Sequence, residues 1–240
     1  MALLQRVLMV EYKNQRGTSF SIDLDGREYW ITARHILTGA KGKPYGTFID
    51  KTVDLRFLDP GGDGQQWKPL RFSVMQPSAD VDVVVLVPPS PLLGDVLPSP
   101  PATSSGIVIG GECEFLGFPY GGGWRAGFDK DPGSYWLPFI KRCGISGHDL
   151  SSDVWVLDGI NNPGFSGGPV IIGSGANLKI AAVVSGYHTE PAEVIRGDPA
   201  VAKDPPDTVN MNSGFIIAYD ISCAVDLIKK NPIGPQRPSK

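Results

Sequence analysis

Residues 161–170 read NNPGFSGGPV and place one serine, Ser166, just before an apolar strand. Turn-forming residues surround this serine: Gly164, Gly167, Gly168 and Pro169. Glycine lets the backbone turn sharply and lets another molecule approach closely. A serine held in such a turn can present its hydroxyl beside unpaired backbone N–H groups, which suits a nucleophile next to an oxyanion hole. A plain glycine-rich hairpin turn has the same composition, so the remainder of the chain must decide between the two.

The composition favours a globular chain built of short strands. The 240 residues include 30 glycines and 22 prolines, and 41% of the residues are hydrophobic. A chain rich in turn formers favours many strands joined by turns over long helices. The net charge of -3 gives no reason to expect nucleic acid or a membrane as a partner.

Short apolar or alternating runs recur along the whole chain and predict an all-β sandwich or barrel. In the first half they predict strands at 6–12, 19–24, 28–33, 52–58, 70–75 and 81–87. A surface linker rich in proline and serine follows at 88–106. The second half predicts strands at 107–109, 112–117, 135–142, 153–157, 168–172, 178–187 and 214–219.

The chain closes with the only clear helix signal. Residues 220–231 begin with an aspartate, carry apolar residues at helical spacing and end in two lysines before Pro232. The remaining residues, 232–240, are expected to form a flexible tail.

A serine nucleophile needs a base, and three histidines are available: His35, His148 and His188. His35 lies just after the apolar run YWITA at 29–33. A histidine at the end of a strand can project its ring into a cleft while the strand stays packed. The base needs a carboxylate that fixes its tautomer. Asp82 directly precedes a buried-strand pattern and is the preferred candidate. Asp80 is the alternative candidate, and if it has no catalytic role it is simply a residue of the turn before the strand.

Other chemistry finds little support in the sequence. Cys113, Cys143 and Cys223 are odd in number and form no C-x-x-C pair, so we expect reduced core thiols. Residues 59–64, DPGGDG, lack the later glutamate of a calcium loop, and we expect no metal and no cofactor. The N-terminal apolar run predicts a strand rather than a signal peptide, so a cytoplasmic location is expected.

Three segments together resemble a known family. ITARHIL, DVVVL and GFSGGPV, in that order, are similar to the signature segments of chymotrypsin-like (trypsin-like) serine peptidases. Residues 158–170, DGINNPGFSGGPV, most resemble the bacterial Deg/HtrA-type protease domain, here without a PDZ domain. The resemblance extends to the terminal helix.

The resemblance implies two packed six-stranded antiparallel β-barrels with a C-terminal helix. The first barrel, within 1–90, would carry His35 and Asp82; the linker would span 91–106; the second barrel, within 107–219, would carry Ser166. Ser166 would attack the scissile carbonyl of a peptide or protein substrate, with His35 as base and Asp82 ionised. The oxyanion hole would be formed by the backbone at Gly164, Phe165 and Ser166, with the N–H groups of Gly164 and Ser166 as its donors.

Substrate preference also follows from the alignment of motifs. Ile160 falls at the floor of the first specificity pocket, which predicts small or aliphatic residues before the cut; His188 offers the alternative of an acidic preference. Three residues would line the cleft and pair with the substrate backbone: Ser185, Gly186 and Tyr187.

Phe165 would place a large ring beside the cleft, where it would shape or partly cover the substrate site. The polar insert at 186–214 would overhang the site or recruit a partner. A second hypothesis is a catalytically silent scaffold on the same fold, and a third is a dedicated processing protease.

Overall fold

A computed structural model describes residues 3–40, 42–59, 66–93, 97–126, 135–194 and 207–238. Within these ranges the chain folds into two closed, six-stranded antiparallel barrels, with one small two-stranded sheet beside them. The predicted all-β class, with two packed barrels and a C-terminal helix, is confirmed. Neither α-helix in these ranges has the length and hydropathy that a membrane span requires.

The first barrel contains the strands β1 Val7–Tyr12, β2 Gln15–Leu24, β3 Arg27–Thr32, β4 Thr52–Leu58, β5 Trp67–Met75 and β6 Val84–Val87. Their spatial order is β1-β2-β3-β6-β5-β4, and β4 closes the barrel by pairing with β1. Strand β4 alternates exposed and buried residues, as expected for a strand with one face in a core. Strand β6 is buried along its whole length, which explains its uninterrupted apolar sequence.

The second barrel contains the strands β7 Glu112–Gly117, β10 Phe139–Asp149, β11 Val154–Asp158, β12 Pro169–Ile172, β13 Lys179–Glu193 and β14 Thr208–Asp220. Their order is β10-β11-β14-β13-β12-β7, and β7 closes the barrel against β10. The two-stranded sheet pairs β8 Trp124–Ala126 with β9 Tyr135–Leu137.

The described part of the chain contains two α-helices, α1 His35–Thr38 and α2 Ser222–Lys230. Helix α2 buries Ala224, Val225 and Ile228 against the core, as its apolar spacing predicts. Three short 3₁₀ turns lie at Leu4–Arg6, Pro119–Gly121 and Gly175–Asn177.

Some strand predictions are wrong in position. No strand forms at 107–109, because the chain turns there: the Ile107 N–H donates to the Ser104 carbonyl at 3.0 Å. Strands β13 and β14 run far beyond their predicted ends as a hairpin that includes part of the polar insert. Residues 195–206 of that insert lie outside the described residues, as do most of the 59–64 segment and the last two residues of the tail.

Hydrogen bonds tie the two barrels together, and two sets of them hold the loops around the site. Thr18 on β2 donates its N–H to the Ser166 carbonyl at 2.8 Å and its hydroxyl to the Gly164 carbonyl at 2.7 Å. Tyr219 on β14 donates its hydroxyl to the Asp80 carbonyl at 2.9 Å. Burial raises the pKa of Tyr219, so this hydroxyl stays protonated and remains a donor. The loops that precede β6 and β12 are therefore fixed by the opposite barrel.

Candidate active site

His35 occupies the position where β3 passes into α1. Strand β3 ends at Thr32, and the buried residues Ala33 and Arg34 connect it to the short helix that begins at His35. The helix ends at Gly39, whose φ of 75° is in the left-handed region. The His35 side chain stays 24% exposed, so the ring reaches the surface while the strand behind it is packed.

Asp82 is fully buried and bonds to His35 through both carboxylate oxygens. Its Oδ1 accepts the His35 backbone N–H at 2.8 Å, and its Oδ2 lies 2.6 Å from the His35 Nδ1. Because a carboxylate accepts only, Nδ1 carries the proton that faces it. The remaining ring nitrogen, Nε2, is then an acceptor when the ring is neutral.

Asp80 contributes to the contact between the two barrels through its backbone carbonyl. Its carbonyl accepts the Tyr219 hydroxyl, whereas the described contacts of His35 with a carboxylate involve Asp82. The structure thus brings together His35 and the preferred aspartate of the sequence analysis, and it gives the alternative aspartate a place in the contact between barrels.

The loop of Ser166 depends on glycines at two positions. Gly164 has a φ of 105°, and a Cβ there would lie 2.2 Å from the Phe118 carbonyl oxygen. Gly167 has a φ of 84°, and a Cβ there would lie 2.1 Å from the Thr18 carbonyl oxygen. Both positions combine a left-handed backbone with backbone contact from another segment, which only glycine tolerates without a shift.

Two backbone donors of this loop have no acceptor. Among the residues that the structure describes, none accepts the N–H of Gly164 or of Ser166. The N–H of Phe165 differs, because it donates within the turn to the Asn162 carbonyl at 3.2 Å. The loop therefore has two N–H groups available to a ligand, at Gly164 and Ser166, the two positions predicted as donors. The Phe165 N–H is not available, because it is bonded within the turn.

The Phe165 ring lies in the core of the second barrel. It is fully buried and packs edge-on against Phe115, with ring centroids 4.8 Å apart. The prediction that this ring lies beside the cleft is wrong. The turn points Ser166 outward, and the side chain before it points in, against the backbone of Gly117.

The Ser166 hydroxyl is bound to another part of the site. It donates to the Ser185 carbonyl at 2.9 Å, and the Ser185 hydroxyl donates to Asp82 Oδ2 at 2.5 Å. Sequence reasoning placed Ser185 in the cleft and missed this bond to Asp82. No local pattern signals it, because β13 belongs to the other barrel.

One cavity of about 320 Å³ brings most of the predicted residues together. Its lining includes His35, Asp82, Ser166, Ser185, Gly186 and Tyr187, with Gln15, Tyr45 and Ile217 beside them. Ile160 does not line it and is 59% exposed.

A lysine that the sequence analysis did not consider holds the segment before Ser166. The Lys141 ammonium on β10 contacts the Ile160 carbonyl and lies 3.1 Å from the Asn162 Oδ1. Asn162 also donates to the Tyr120 hydroxyl at 3.3 Å. The sequence around Lys141 does not indicate this role, because an isolated lysine on a strand ordinarily faces solvent.

The other two histidines lie elsewhere. His148 stacks on Trp155 with centroids 3.8 Å apart. His188 lies near Ser213, where its carbonyl accepts the serine hydroxyl at 3.0 Å. Neither is among the residues that line the cavity.

Comparison with solved structures matches nearly the whole chain to serine proteases of the HtrA or trypsin-like fold. The thermostable serine protease AL20 from an extremophilic microorganism aligns with a TM-score of 0.56 at 14% identity, over 95% of this chain and 96% of that one. The Rv3671c protease of M. tuberculosis H37Rv, in an inactive form, aligns with a TM-score of 0.51 at 18% identity, over 95% and 90%. The HtrA-type protease AlgW, with a tripeptide, aligns with a TM-score of 0.55 at 15% identity, over 95% of this chain and 60% of that one.

The chain therefore has the chymotrypsin-like fold, and the resemblance to HtrA-type proteases is confirmed at the level of structure. No protein-family model and no curated protein matches the sequence.

The Gly164 geometry predicts a sharp response to a single methyl group. We expect Gly164→Ala to lower the free energy of unfolding by more than about 2 kcal/mol, because its Cβ would meet the Phe118 carbonyl at 2.2 Å. Gly147→Ala is the matched control, since a Cβ there meets nothing within 4 Å. Urea unfolding monitored by tryptophan fluorescence measures both. Equal unfolding midpoints would contradict the described loop.

Proposed function

We propose that this protein is a serine endopeptidase that hydrolyses peptide bonds through Ser166, His35 and Asp82. The observation that carries the proposal is the buried Asp82 carboxylate bonded to both the backbone and the ring of His35, in one cavity with Ser166. A positioned acid, base and hydroxyl form the constellation that acyl transfer requires.

In the proposed reaction, Ser166 Oγ attacks the carbonyl carbon of the substrate while its proton passes to His35 Nε2. The tetrahedral intermediate then collapses, the C–N bond breaks, and the leaving amine takes the proton from the imidazolium. Water repeats these steps on the acyl-enzyme and releases the acid. Asp82 stays ionised and stabilises the imidazolium through the Nδ1 bond.

Ser166 reaches His35 by turning its hydroxyl away from the Ser185 carbonyl. Rotation about one side-chain bond is fast compared with turnover. The carbonyl that it leaves behind can accept an N–H from the substrate backbone, and strand β13 then pairs with the peptide at Ser185, Gly186 and Tyr187.

The N–H groups of Gly164 and Ser166 are the proposed oxyanion donors, because both lack an acceptor within the described chain. Their direction depends on the turn at 162–165, which Lys141 fixes through Ile160 and Asn162. We regard Lys141 as a positioning residue: it touches the loop and not the reacting atoms.

A preference for small or aliphatic side chains before the cut agrees with the cavity lining. Tyr187 and Ile217 present apolar surface there. Among the described residues, Asp82 is the only carboxylate in the lining, and it already accepts hydrogen bonds from His35 and Ser185. A lysine or arginine side chain would find no free carboxylate to pair with in this cavity.

A catalytically silent scaffold is the second candidate, and the observation in its favour is the hydrogen bond from Ser166 to the Ser185 carbonyl. If that bond persists in the presence of a peptide, the serine never meets its base. The protein would then bind peptides without cutting them.

Labelling with a fluorophosphonate probe separates the two candidates. We expect wild type to label, and Ser166→Ala and His35→Ala to remain unlabelled while folded, because only a serine activated by its base attacks the phosphorus. His148→Ala is the control for the loss of an unrelated histidine. Absence of labelling in folded wild type supports the scaffold. Labelling without hydrolysis of a generic peptide library indicates a dedicated processing protease.

The two aspartates give a matched pair of variants. We expect Asp82→Asn to lower kcat/KM by about 10⁴-fold, the size typical of this carboxylate in triad proteases. We expect Asp80→Asn to change kcat/KM by less than about threefold, since the backbone carbonyl that Tyr219 binds is unchanged. Peptide hydrolysis under kcat/KM conditions measures both, and a larger loss in the Asp80 variant would contradict the assignment.

Lys141 predicts an alkaline loss of activity. Burial lowers the pKa of Lys141 below its usual value, so its ammonium is lost at a lower pH than that of an exposed lysine. We expect Lys141→Met to lower kcat by about 10- to 100-fold with little change in KM, because the oxyanion donors lose their support. We expect Lys141→Arg to keep its rate to higher pH than wild type.

Lys179→Met is the control for that experiment, since Lys179 binds the Ser105 carbonyl at 2.7 Å, away from the cavity. Profiles of kcat against pH for the four proteins provide the measurement. If Lys141→Met has the kcat of wild type, Lys141 does not position the loop. The same conclusion follows if kcat falls at the same alkaline pH in wild type and in Lys141→Met.

A further inference from the structure

Two of the three cysteines meet across neighbouring strands of the second barrel. Cys113 on β7 is directly opposite Cys143 on β10, and their Sγ atoms are 3.1 Å apart. Both are free thiols and nearly fully buried, at 3% and 6% exposure. The sequence shows two cysteines far apart in the chain and gives no sign of this pairing.

We propose that Cys113 and Cys143 form an oxidisable dithiol, which a peroxide converts into a disulfide joining β7 to β10. Directly opposed residues of antiparallel strands have Cα atoms about 4.5–5.5 Å apart, within the range that disulfides span. The backbone therefore already satisfies the bond, and only the sulfur atoms have to approach. This inference does not depend on the proposed peptidase activity.

The two thiols differ in acidity, and the difference assigns their roles. The hydrogen bond between them lowers the pKa of Cys113 and, together with burial, raises the pKa of Cys143. Burial and the nearby Glu114 carboxylate work against the Cys113 thiolate but do not reverse its shift. The strand pairing brings the two sulfur atoms into contact whichever one donates, and the direction of the shifts favours Cys113 as the attacking thiol.

A cavity of about 530 Å³ lies beside the strand pair that carries the two cysteines. Its lining includes Cys113 together with Glu112, Glu114, Ile140 and Arg142. Cys143 is not among the lining residues. The lining carries both acidic side chains and Arg142, and we expect a small neutral oxidant such as hydrogen peroxide to approach the dithiol from this side.

The chemistry balances with hydrogen peroxide as the oxidant. The Cys113 thiolate attacks one peroxide oxygen, the O–O bond breaks, and the departing hydroxide takes a proton to leave as water; Cys113 becomes a sulfenic acid. Cys143 gives up its proton and attacks Cys113 Sγ, the S–S bond forms, and the S–O bond breaks to release a second water. Two thiols lose two electrons and the peroxide gains them.

The disulfide would connect residues 30 positions apart in the chain and would cross-link the adjacent strands β7 and β10 of the second barrel. Cross-linking restricts the unfolded chain, so the oxidised protein resists unfolding more than the reduced one. Cys143 also packs its Cβ against Gly159, which directly precedes the Ile160 segment held by Lys141. The dithiol therefore lies under the chain that leads to Ser166.

Peptide mapping after peroxide treatment tests the pairing. We expect folded wild type to yield a Cys113–Cys143 linked peptide without reductant, and to lose it with dithiothreitol. Cys223→Ser is the control and should behave as wild type, because burial raises the pKa of Cys223 to about 12 and the residue lies on α2. Persistent free thiols at Cys113 and Cys143 in peroxide-treated folded protein, or a linked peptide that contains Cys223, would overturn the proposal.

Trapping the intermediate tests the order of attack. In Cys143→Ser treated with peroxide and dimedone, we expect the adduct on Cys113, at least about tenfold faster than on Cys223. In Cys113→Ser, we expect Cys143 to stay unmodified over the same time. Cys143→Thr, which also keeps a hydroxyl donor beside Cys113, replaces the serine variant if that variant does not fold. A dimedone adduct that forms first on Cys143 or Cys223 would refute the assigned roles.

Unfolding provides an independent readout. We expect peroxide to raise the urea midpoint of wild type and dithiothreitol to restore it, with no shift in Cys143→Ala. A midpoint that does not respond in wild type, or responds equally in the variant, would contradict a cross-link between β7 and β10.

Discussion

Thr18 makes the contact on which the site depends. Its N–H and hydroxyl hold the carbonyls of Ser166 and Gly164, and its own carbonyl accepts the Thr32 hydroxyl at 2.6 Å. Thr32 is the last residue of β3, only three positions before His35. The loop of the second barrel is therefore held against the strand of the first barrel that leads to His35. This contact joins the two separately closed barrels directly beside the cavity that Ser166 and His35 line.

The glycines around Ser166 follow from that contact. Gly167 lies so close to Thr18 and Thr32 that a Cβ would stand 2.1 Å and 2.4 Å from their oxygens. Gly168 lies equally close to the Leu116 carbonyl on β7. The loop is thus packed between a strand of each barrel through backbone atoms, and side chains there would push the barrels apart. The sequence GFSGG is a packing requirement of the interface as well as a chemical motif.

Local sequence predicts those features whose cause is local. His35 and Asp82 stand beside apolar strands, and burial of a strand determines where its flanking residues lie. The direction of the Phe165 ring depends instead on the path of a tight turn, and the length of β13 and β14 depends on pairing with each other beyond the barrel. The bond from Ser185 to Asp82, the clamp from Lys141 to Asn162 and the meeting of Cys113 with Cys143 each join distant segments. Their registers are set by tertiary packing, so neither spacing nor composition reveals them.

Ser185 connects the resting site to the proposed reaction. Its hydroxyl donates to Asp82 and its carbonyl accepts from Ser166, so one residue of β13 contacts both of these side chains. A peptide that pairs with β13 competes for that carbonyl, because its own N–H needs the same acceptor. In the proposed reaction, the released Ser166 hydroxyl turns to His35 Nε2, which lines the same cavity. In the proposed mechanism, substrate binding and activation of Ser166 would be a single exchange of hydrogen bonds, and a molecule that does not present a backbone N–H to β13 would leave the Ser166–Ser185 bond in place.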